Sequence, residues 1–181
     1  NQTSTRRQDP FIPAPISRQP PLRLYSIAAM QQDFQRLERE VQRVHTRCQR
    51  VATLSRKIMG SSRAKAEEAF VAGLLHDIGE TLLIVYLPER YERASKQAQQ
   101  TNKQLHQVEQ ELYDVDHAEL GAHLLDAWGL PFPVLEAVAF HHTAPELEHT
   151  SLETADAVYI AEALVYAREK GLTIESMLDK A

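Results

Sequence analysis

The feature that most constrains this chain is a His-Asp pair, His76-Asp77, in the middle of its most apolar run, residues 67–87. The run reads EEAFVAGLLHDIGETLLIVYL and consists mainly of aliphatic side chains. Burying a carboxylate in such surroundings is costly unless a cation, a metal ion or a set of hydrogen-bond donors compensates its charge. The sequence therefore predicts a buried polar site around Asp77, with a partner for its charge.

The overall composition is that of an ordinary globular protein and limits the classes of function. The 181 residues, 43% of them hydrophobic, suffice for one domain with a core. A net charge of −5 disfavours a dedicated nucleic-acid-binding protein, which needs a basic surface. A single cysteine, Cys48, excludes an intramolecular disulfide and fits a reducing compartment. We expect no membrane-spanning run and no signal peptide, and the start at Asn1 rather than Met indicates a fragment or a processed product.

The chain divides into two regions of different composition. Residues 1–22 hold five of the nine prolines and are expected to form an extended tail or linker, because proline fixes φ and removes a donor. Residues 23–181 are expected to form one helical domain. An apolar seam with spacings of three and four predicts a long first helix over residues 24–59, which packs on the domain core or, alternatively, forms a homodimer. The seam consists of Ile27, Met30, Phe34, Leu37, Val41, Val44, Cys48 and Val51.

Further helices are predicted along the rest of the chain, and no strand, so the predicted fold class is all-α. Capping boxes at residues 116–119 and 150–153 indicate two helix starts, and residues 101–102 are expected to cap a third helix. A short terminal helix is expected after Thr173. Trp128 and Tyr86 are interpreted as core or junction packing rather than as ligand-stacking residues.

Seven side chains of metal-ligating types lie in or beside the apolar segments of five predicted helices. Imidazole and carboxylate together suit Fe, Mn, Ni or Zn better than Ca, and the absence of cysteine ligands argues against a structural zinc site. A carboxylate such as Asp77 is a natural bridge between two metal ions, which activate water and hold a phosphoryl group. The candidates are His45, His76, Asp77, His117, His141, His142 and Asp156.

In order and type these residues resemble the ligand series of the HD superfamily of metal-dependent phosphohydrolases. Two stretches, AFVAGLLHDIGETLL and DVDHAELGAHLLDAWGLPFPVLEAVAFHH, more closely resemble its HDOD branch, the HD-related output domains of bacterial signalling proteins. The resemblance implies a helical bundle that binds a partner or ligand. It further implies a cytoplasmic response regulator of a two-component system, in which the bundle is linked to a receiver domain or another sensory module. From charge and hydropathy, we expect neither membrane nor nucleic acid as a partner. The residues before Leu24 do not resemble the family's N-terminal helical half, so we expect that half to be missing or truncated here.

The superfamily pattern also implies two metal sites that share Asp77, the candidate catalytic residue, and one or two divalent ions (Fe, Mn or Ni), or none. The alternative function is then a phosphohydrolase acting on a nucleotide-like phosphate ester. Hydrolysis of cyclic di-GMP is disfavoured, because Glu80 replaces that branch's lysine and no Gly-Tyr-Pro signature follows His142. The implied sites are His45, His76, Asp77 and Asp156 for one ion, and Asp77, His117, His141 and His142 for the other.

Each candidate also has a purely structural interpretation. Residues 77–80 have capping-box spacing for the helix that follows, and His141-His142 are placed to satisfy carbonyls at a helix end. In the same way, Asp156 can pair with an arginine, His117 can be a first-turn residue and His45 can flank the seam. Taken together, the seven favour a shared pocket. Surface or capping roles are assigned to the remaining histidines, His106, His123 and His149.

Overall fold

The computed structural model describes residues 27–60 and 62–171, with side chains from residue 31 onward. Within these ranges all regular structure is helical, which confirms the all-α prediction. The predicted tail, residues 1–22, and the helix expected after Thr173 lie outside the described residues. The helices are α1 (Ile27–Ile58), α2 (Arg63–Leu75), α3 (Ile78–Tyr86), α4 (Pro88–Thr101), α5 (Leu105–Tyr113), α6 (His117–Ala127), α7 (Phe132–Ala139) and α8 (Thr154–Glu169), with a 3-10 helix at Ala144–Leu147.

The long first helix is present, and most of its apolar seam packs within the domain. α1 contacts α2, α3 and α8, and Val44, Cys48 and Val51 are buried. Leu37 and Val41 are partly buried against the same core, whereas Phe34 is 68% exposed. The seam is therefore a core-facing stripe from Leu37 onward. A homodimer through this helix stays a prediction.

The apolar run is divided into two helices at the His-Asp pair. α2 contributes Ala72 to one buried cluster, and α3 contributes Leu83 to another, so the pair lies at the junction of the two. Gly79 permits α3 to pack closely on α6, because a Cβ at this position would lie 1.9 Å from the carbonyl oxygen of His117. This close approach brings the α2–α3 junction next to the first turn of α6.

The Arg63–Tyr86 stretch is, by length and composition alone, apolar enough to cross a membrane, contrary to the expectation from the sequence. Half of its most apolar window is buried in the structure, and core helices of soluble proteins meet the same criterion. The break between α2 and α3 falls within this stretch. The finding is therefore weak evidence for a membrane span.

Two helix starts use caps other than those predicted. α5 begins after Gln104, whose side chain forms a capping box, whereas Thr101 belongs to the last turn of α4. The box at the start of α8 joins Glu153 to Asp156 rather than Thr150 to Glu153. A carboxylate thus supplies both halves of the α8 box.

Two large aromatic side chains are mostly exposed, so the core half of their interpretation as core or junction packing is wrong, and packing at a junction stays a prediction. Tyr86 is 74% exposed and Trp128 is 63% exposed. Tyr86 is the last residue of α3, and Trp128 is the C-cap of α6. Each follows the last buried residue of its helix, where the chain turns away from the core.

Candidate functional site at Asp77

The charge of the fully buried Asp77 is compensated by Arg47 of α1, which was not among the predicted site residues. Arg47 Nε donates a hydrogen bond to Asp77 Oδ2 at 2.8 Å, and Nη2 contacts both this oxygen and Glu80 Oε2. Burial would lower the pKa of Arg47, but Asp77 and Glu80 raise it above its usual value. Arg47 therefore remains a cation and supplies the compensating charge that a buried carboxylate requires.

Glu80 extends this ion-pair network and does not cap α3. Arg43 Nη2 donates to Glu80 Oε1 at 2.8 Å, and the Tyr91 hydroxyl donates to the same oxygen at 3.1 Å. Asp77 makes no side-chain hydrogen bond to the start of α3, so the capping-box interpretation of residues 77–80 is wrong. The physical reason is that hydrogen bonds from a guanidinium are stronger than those from a neutral backbone N–H.

Three histidine rings direct Nε2 toward Asp77. His76 Nε2 lies 2.9 Å from Oδ2, while His117 Nε2 and His141 Nε2 each lie 3.5 Å from Oδ1. The short His76 approach is poorly directed, and His76 Nε2, His141 Nε2 and Asp77 Oδ1 are buried without a hydrogen-bond partner. Unpartnered buried polar atoms are unfavourable by about 1–3 kcal/mol each, so this arrangement favours a bound ligand.

The second nitrogen of each of these rings is held by an acceptor. His76 Nδ1 and His141 Nδ1 each donate to the backbone carbonyl three residues earlier, at 2.8 and 2.7 Å. Since a carbonyl can only accept, Nδ1 carries a proton, and Nε2 is the ring nitrogen that faces the site. Histidines that bind metals are oriented by this kind of contact. His141 thus satisfies a helix-end carbonyl, as one interpretation predicted, and still leaves Nε2 available as a ligand.

The acceptor that orients His117 is Glu109 of α5, which the sequence did not single out. Glu109 Oε2 accepts from the His117 backbone N–H at 3.0 Å and from Nδ1 at 2.6 Å. Glu109 is buried, and its other oxygen has no partner. Burial would lower the pKa of His117, but the neighbouring carboxylates of Asp77 and Glu109 raise it well above its usual value. The only sequence signal was the position of Glu109 next to an apolar residue, Val108, on a predicted helix.

His142 completes a cluster of three histidines. Its Nε2 lies 3.0 Å from His117 Nε2, and the ligand atoms of His117, His141 and His142 all lie within 4.8 Å of one another. Burial, and then the neighbouring His141 and His117, lower the pKa of His142, so its ring is neutral. His106 stacks on it at 4.0 Å between ring centroids and is half-buried rather than a surface residue.

The cluster fits one divalent metal ion. With metal–nitrogen distances of about 2.1 Å, two adjacent ligand nitrogens lie about 3.0–3.4 Å apart, which matches the spacing of His117 and His142. Cys48, His76 and Asp77 form a second group of ligand atoms within 4.8 Å of one another. There, however, Arg47 already holds Asp77 Oδ2, and a second cation would be repelled. The residues therefore fit a mononuclear centre better than the dinuclear centre that the superfamily pattern implies.

Two of the seven candidate ligands lie away from this cluster. His45 is exposed, with Nε2 3.3 Å from the side chain of Gln49, because it lies about 200° around α1 from Arg47. Asp156 Oδ2 accepts from the Glu153 backbone N–H at 2.9 Å and contacts His149 Nδ1 at 3.0 Å, so its partner is a histidine and not an arginine.

The structure brings together five of the seven candidates, and their role as ligands stays a prediction. His149 is partly buried beside Asp156, whereas His123 is exposed as expected. The five candidates that converge are His76, Asp77, His117, His141 and His142.

Two solved structures share the fold of this chain. One is a "Putative phosphohydrolase" from Shewanella amazonensis SB2B, with 25% sequence identity, a TM-score of 0.61, and coverage of 70% of this chain and 46% of that one. The other is an HDOD domain protein with unknown function from Geobacter sulfurreducens, with 22% identity, a TM-score of 0.63, and coverage of 72% and 44%. This chain therefore spans less than half the length of either protein.

Sequence comparison leads to the same family. An uncharacterized protein of Treponema pallidum (strain Nichols) is 34% identical over 92 residues, which are 48% of this chain and 18% of that protein. The HDOD domain family model matches residues 22–144, which include the ion-pair network and the whole histidine cluster. The chain belongs to the HDOD domain family.

Proposed function

We propose that this chain is the signal-output domain of a cytoplasmic two-component response regulator, and that it acts by binding a partner rather than by hydrolysing a substrate. The observation that carries the proposal is the ion pair between Arg47 and Asp77. In a dinuclear centre the two oxygens of a bridging carboxylate each face a metal ion. Here one of those oxygens is held by a protein cation that is itself bound to Glu80.

A single divalent ion, Fe, Mn or Ni, fits the remaining side of the site, at His117, His141 and His142 with Asp77 Oδ1. Such an ion is a Lewis acid, and here its ligands would join the start of α6 to the end of α7. Burial would raise the pKa of Asp77, but His76 and Arg47 hold it well below its usual range. Asp77 is thus kept ionised as an acceptor at the centre of the cluster.

The second candidate function is a metal-dependent phosphohydrolase acting on a nucleotide-like phosphate ester. It is favoured by the unpartnered Nε2 atoms and by the similarity to the Shewanella amazonensis structure. It is disfavoured by the charges at the site, because Glu80 would repel an anionic substrate. Arg43 and Arg47, which would otherwise attract a phosphate, are both bound to Glu80.

Metal content and hydrolysis, measured on the same preparations, separate the two functions. After incubation with Mn²⁺, Fe²⁺ or Ni²⁺ and removal of free ions, we expect one metal equivalent by mass spectrometry and no hydrolysis of bis(p-nitrophenyl) phosphate above background. His142→Ala should remove the metal, and His123→Ala, which changes an exposed histidine of α6, should retain it. Two equivalents, together with hydrolysis that Asp77→Ala abolishes, would establish the phosphohydrolase instead.

A further inference from the structure

A solvent-accessible groove between α6 and α7 lies beside the histidine cluster. None of the residues that line the groove belongs to that cluster. The volume of the groove is about 600 Å³, and Ala122, Leu135 and Ala139 supply part of its apolar lining. Phe132 and Phe140, which also line it, are 70% and 37% exposed. Exposed aromatic side chains grouped in a concave surface are typical of sites that bind another molecule.

The charge of this α6–α7 groove is entirely acidic. No lysine or arginine lines it, and within the described part of the chain none of its carboxylates forms an ion pair with either residue type. Two of them lie near histidines, with Glu119 3.8 Å from His123 and Glu136 3.6 Å from His149. The four carboxylates are Asp116, Glu119, Asp126 and Glu136.

Acidic side chains on other surfaces of the molecule have neighbours of the opposite charge. Many of them are paired with a lysine or an arginine of a neighbouring helix or turn. The carboxylates of the groove, which no described lysine or arginine neutralises, therefore form a local negative field around an apolar surface, and such a field selects the charge of a partner. The paired acids elsewhere include Glu67 with Arg56, Glu92 with Arg36, Glu111 with Lys103, Glu153 with Lys65, and Glu169 with Arg50.

We propose that the α6–α7 groove binds an amphipathic segment of a partner protein, in which apolar side chains are flanked by lysine or arginine. Phe132 and Phe140 would contact the apolar side chains, as aromatic anchors do in protein interfaces. The carboxylates would contact the basic ones and reject acidic segments. The same negative field disfavours anionic membranes and nucleic acids as occupants. This inference deepens the proposed function, since it names the surface through which output is delivered.

Model peptides test the charge and the apolar face separately. The probe, called the Lys peptide, is a fluorescein-labelled 18-residue peptide of Leu and Lys with one apolar face. The control, called the Glu peptide, has Glu at every Lys position. By fluorescence anisotropy we expect the Lys peptide to bind at least about tenfold more tightly than the Glu peptide. We also expect its affinity to fall between 50 and 300 mM NaCl, because exposed charges are screened. Equal affinities for the two peptides would overturn the proposal.

Matched variants test whether the groove is the binding surface. Asp126→Lys and Phe132→Ser should each weaken binding of the Lys peptide by about tenfold. Glu89→Lys on α4 and Phe34→Ser on α1, which change exposed residues elsewhere, should alter it by less than about twofold. All four positions are exposed, so the variants should fold, and circular dichroism checks this. Equal losses in the groove variants and in the controls would contradict the proposal.

Two further outcomes identify other occupants or separate this inference from the proposed function. A wild-type dimer in light scattering that becomes a monomer in Phe132→Ser would assign the groove to a second copy of the chain and overturn the proposal. The peptide assay requires neither metal nor hydrolysis. If the protein binds one metal equivalent and shows no hydrolysis but does not bind the peptide, only the proposal for the groove is rejected. If it binds the peptide but also hydrolyses the phosphodiester, only the output-domain function is rejected.

Discussion

The two oxygens of Asp77 lie in opposite environments. Oδ2 is held by Arg47 at 2.8 Å and lies 2.9 Å from His76 Nε2. Oδ1 has no hydrogen-bond partner, although His117 and His141 each direct an Nε2 toward it from 3.5 Å. On one side the protein supplies its own cation, and on the other it supplies ligands for an external one. One side of Asp77 is thus occupied by an internal ion pair, whereas the other side has the geometry of a ligand-binding site.

The largest effect should come from removing the protein cation. Arg47→Ala leaves Asp77 and Glu80 buried without their main counter-charge, and we expect it to lower the free energy of unfolding by about 3–5 kcal/mol. Urea denaturation followed by circular dichroism measures the change. Arg50→Ala, which breaks an exposed ion pair with Glu169, should cost less than about 1 kcal/mol. Similar losses for the two variants would mean that something other than Arg47 compensates Asp77.

The next largest effect should be on metal affinity, and it should differ between the Oδ1 side and the Oδ2 side of Asp77. His117→Ala and His142→Ala each remove a ligand from the open side and should weaken Ni²⁺ binding by more than about a hundredfold in calorimetric titration. His76→Ala, on the side that Arg47 occupies, should weaken it by less than about tenfold. If His76→Ala were as damaging as the other two, the metal would have to lie on the Arg47 side.

A smaller loss of metal affinity is expected when the acceptor behind His117 is weakened. Glu109→Gln keeps the shape of the side chain but removes the charge that orients the ring, and we expect affinity to fall by about 10- to 100-fold. Glu111→Gln, on an exposed position of the same helix, should leave it unchanged. An unchanged affinity in Glu109→Gln would show that Glu109 serves stability alone.

The smallest effect should come from the outer part of the ion-pair network. Tyr91→Phe removes the hydroxyl that contacts Glu80 and Arg43, and we expect a loss of about 0.5–1.5 kcal/mol in the free energy of unfolding. Tyr86→Phe changes a largely exposed hydroxyl and should lie within about 0.5 kcal/mol of the wild type. A stability gain in Tyr91→Phe would show that Glu80 is sufficiently compensated by the arginines.

Much of the fold could be predicted because its signals are local. The spacing of apolar residues predicted α1, and the cost of burying Asp77 predicted a polar site with a partner. The identity of that partner could not be predicted. His45 and Arg47 both lie next to the seam, and only the packing of α3 against α1 decides which of them faces inward.

The same distinction explains the other misses. Glu109 is on a predominantly polar helix and became a site residue only because α5 packs beside the start of α6. Asp156 has a ligand-type side chain in an apolar helix, but it accepts a hydrogen bond from the Glu153 backbone N–H at the start of α8 and contacts His149. Side-chain type alone does not reveal which of several satisfactory partners a group will find.

By itself the sequence determined that the chain is helical, that a His-Asp pair is buried in its most apolar run, and that histidines follow in the order of the superfamily. Those properties rest on hydrophobic periodicity and on residue identity, which are local. Only the tertiary structure decided that Asp77 has an arginine on one oxygen and imidazoles around the other. Which charge compensates a buried carboxylate depends on distances between helices far apart in the sequence.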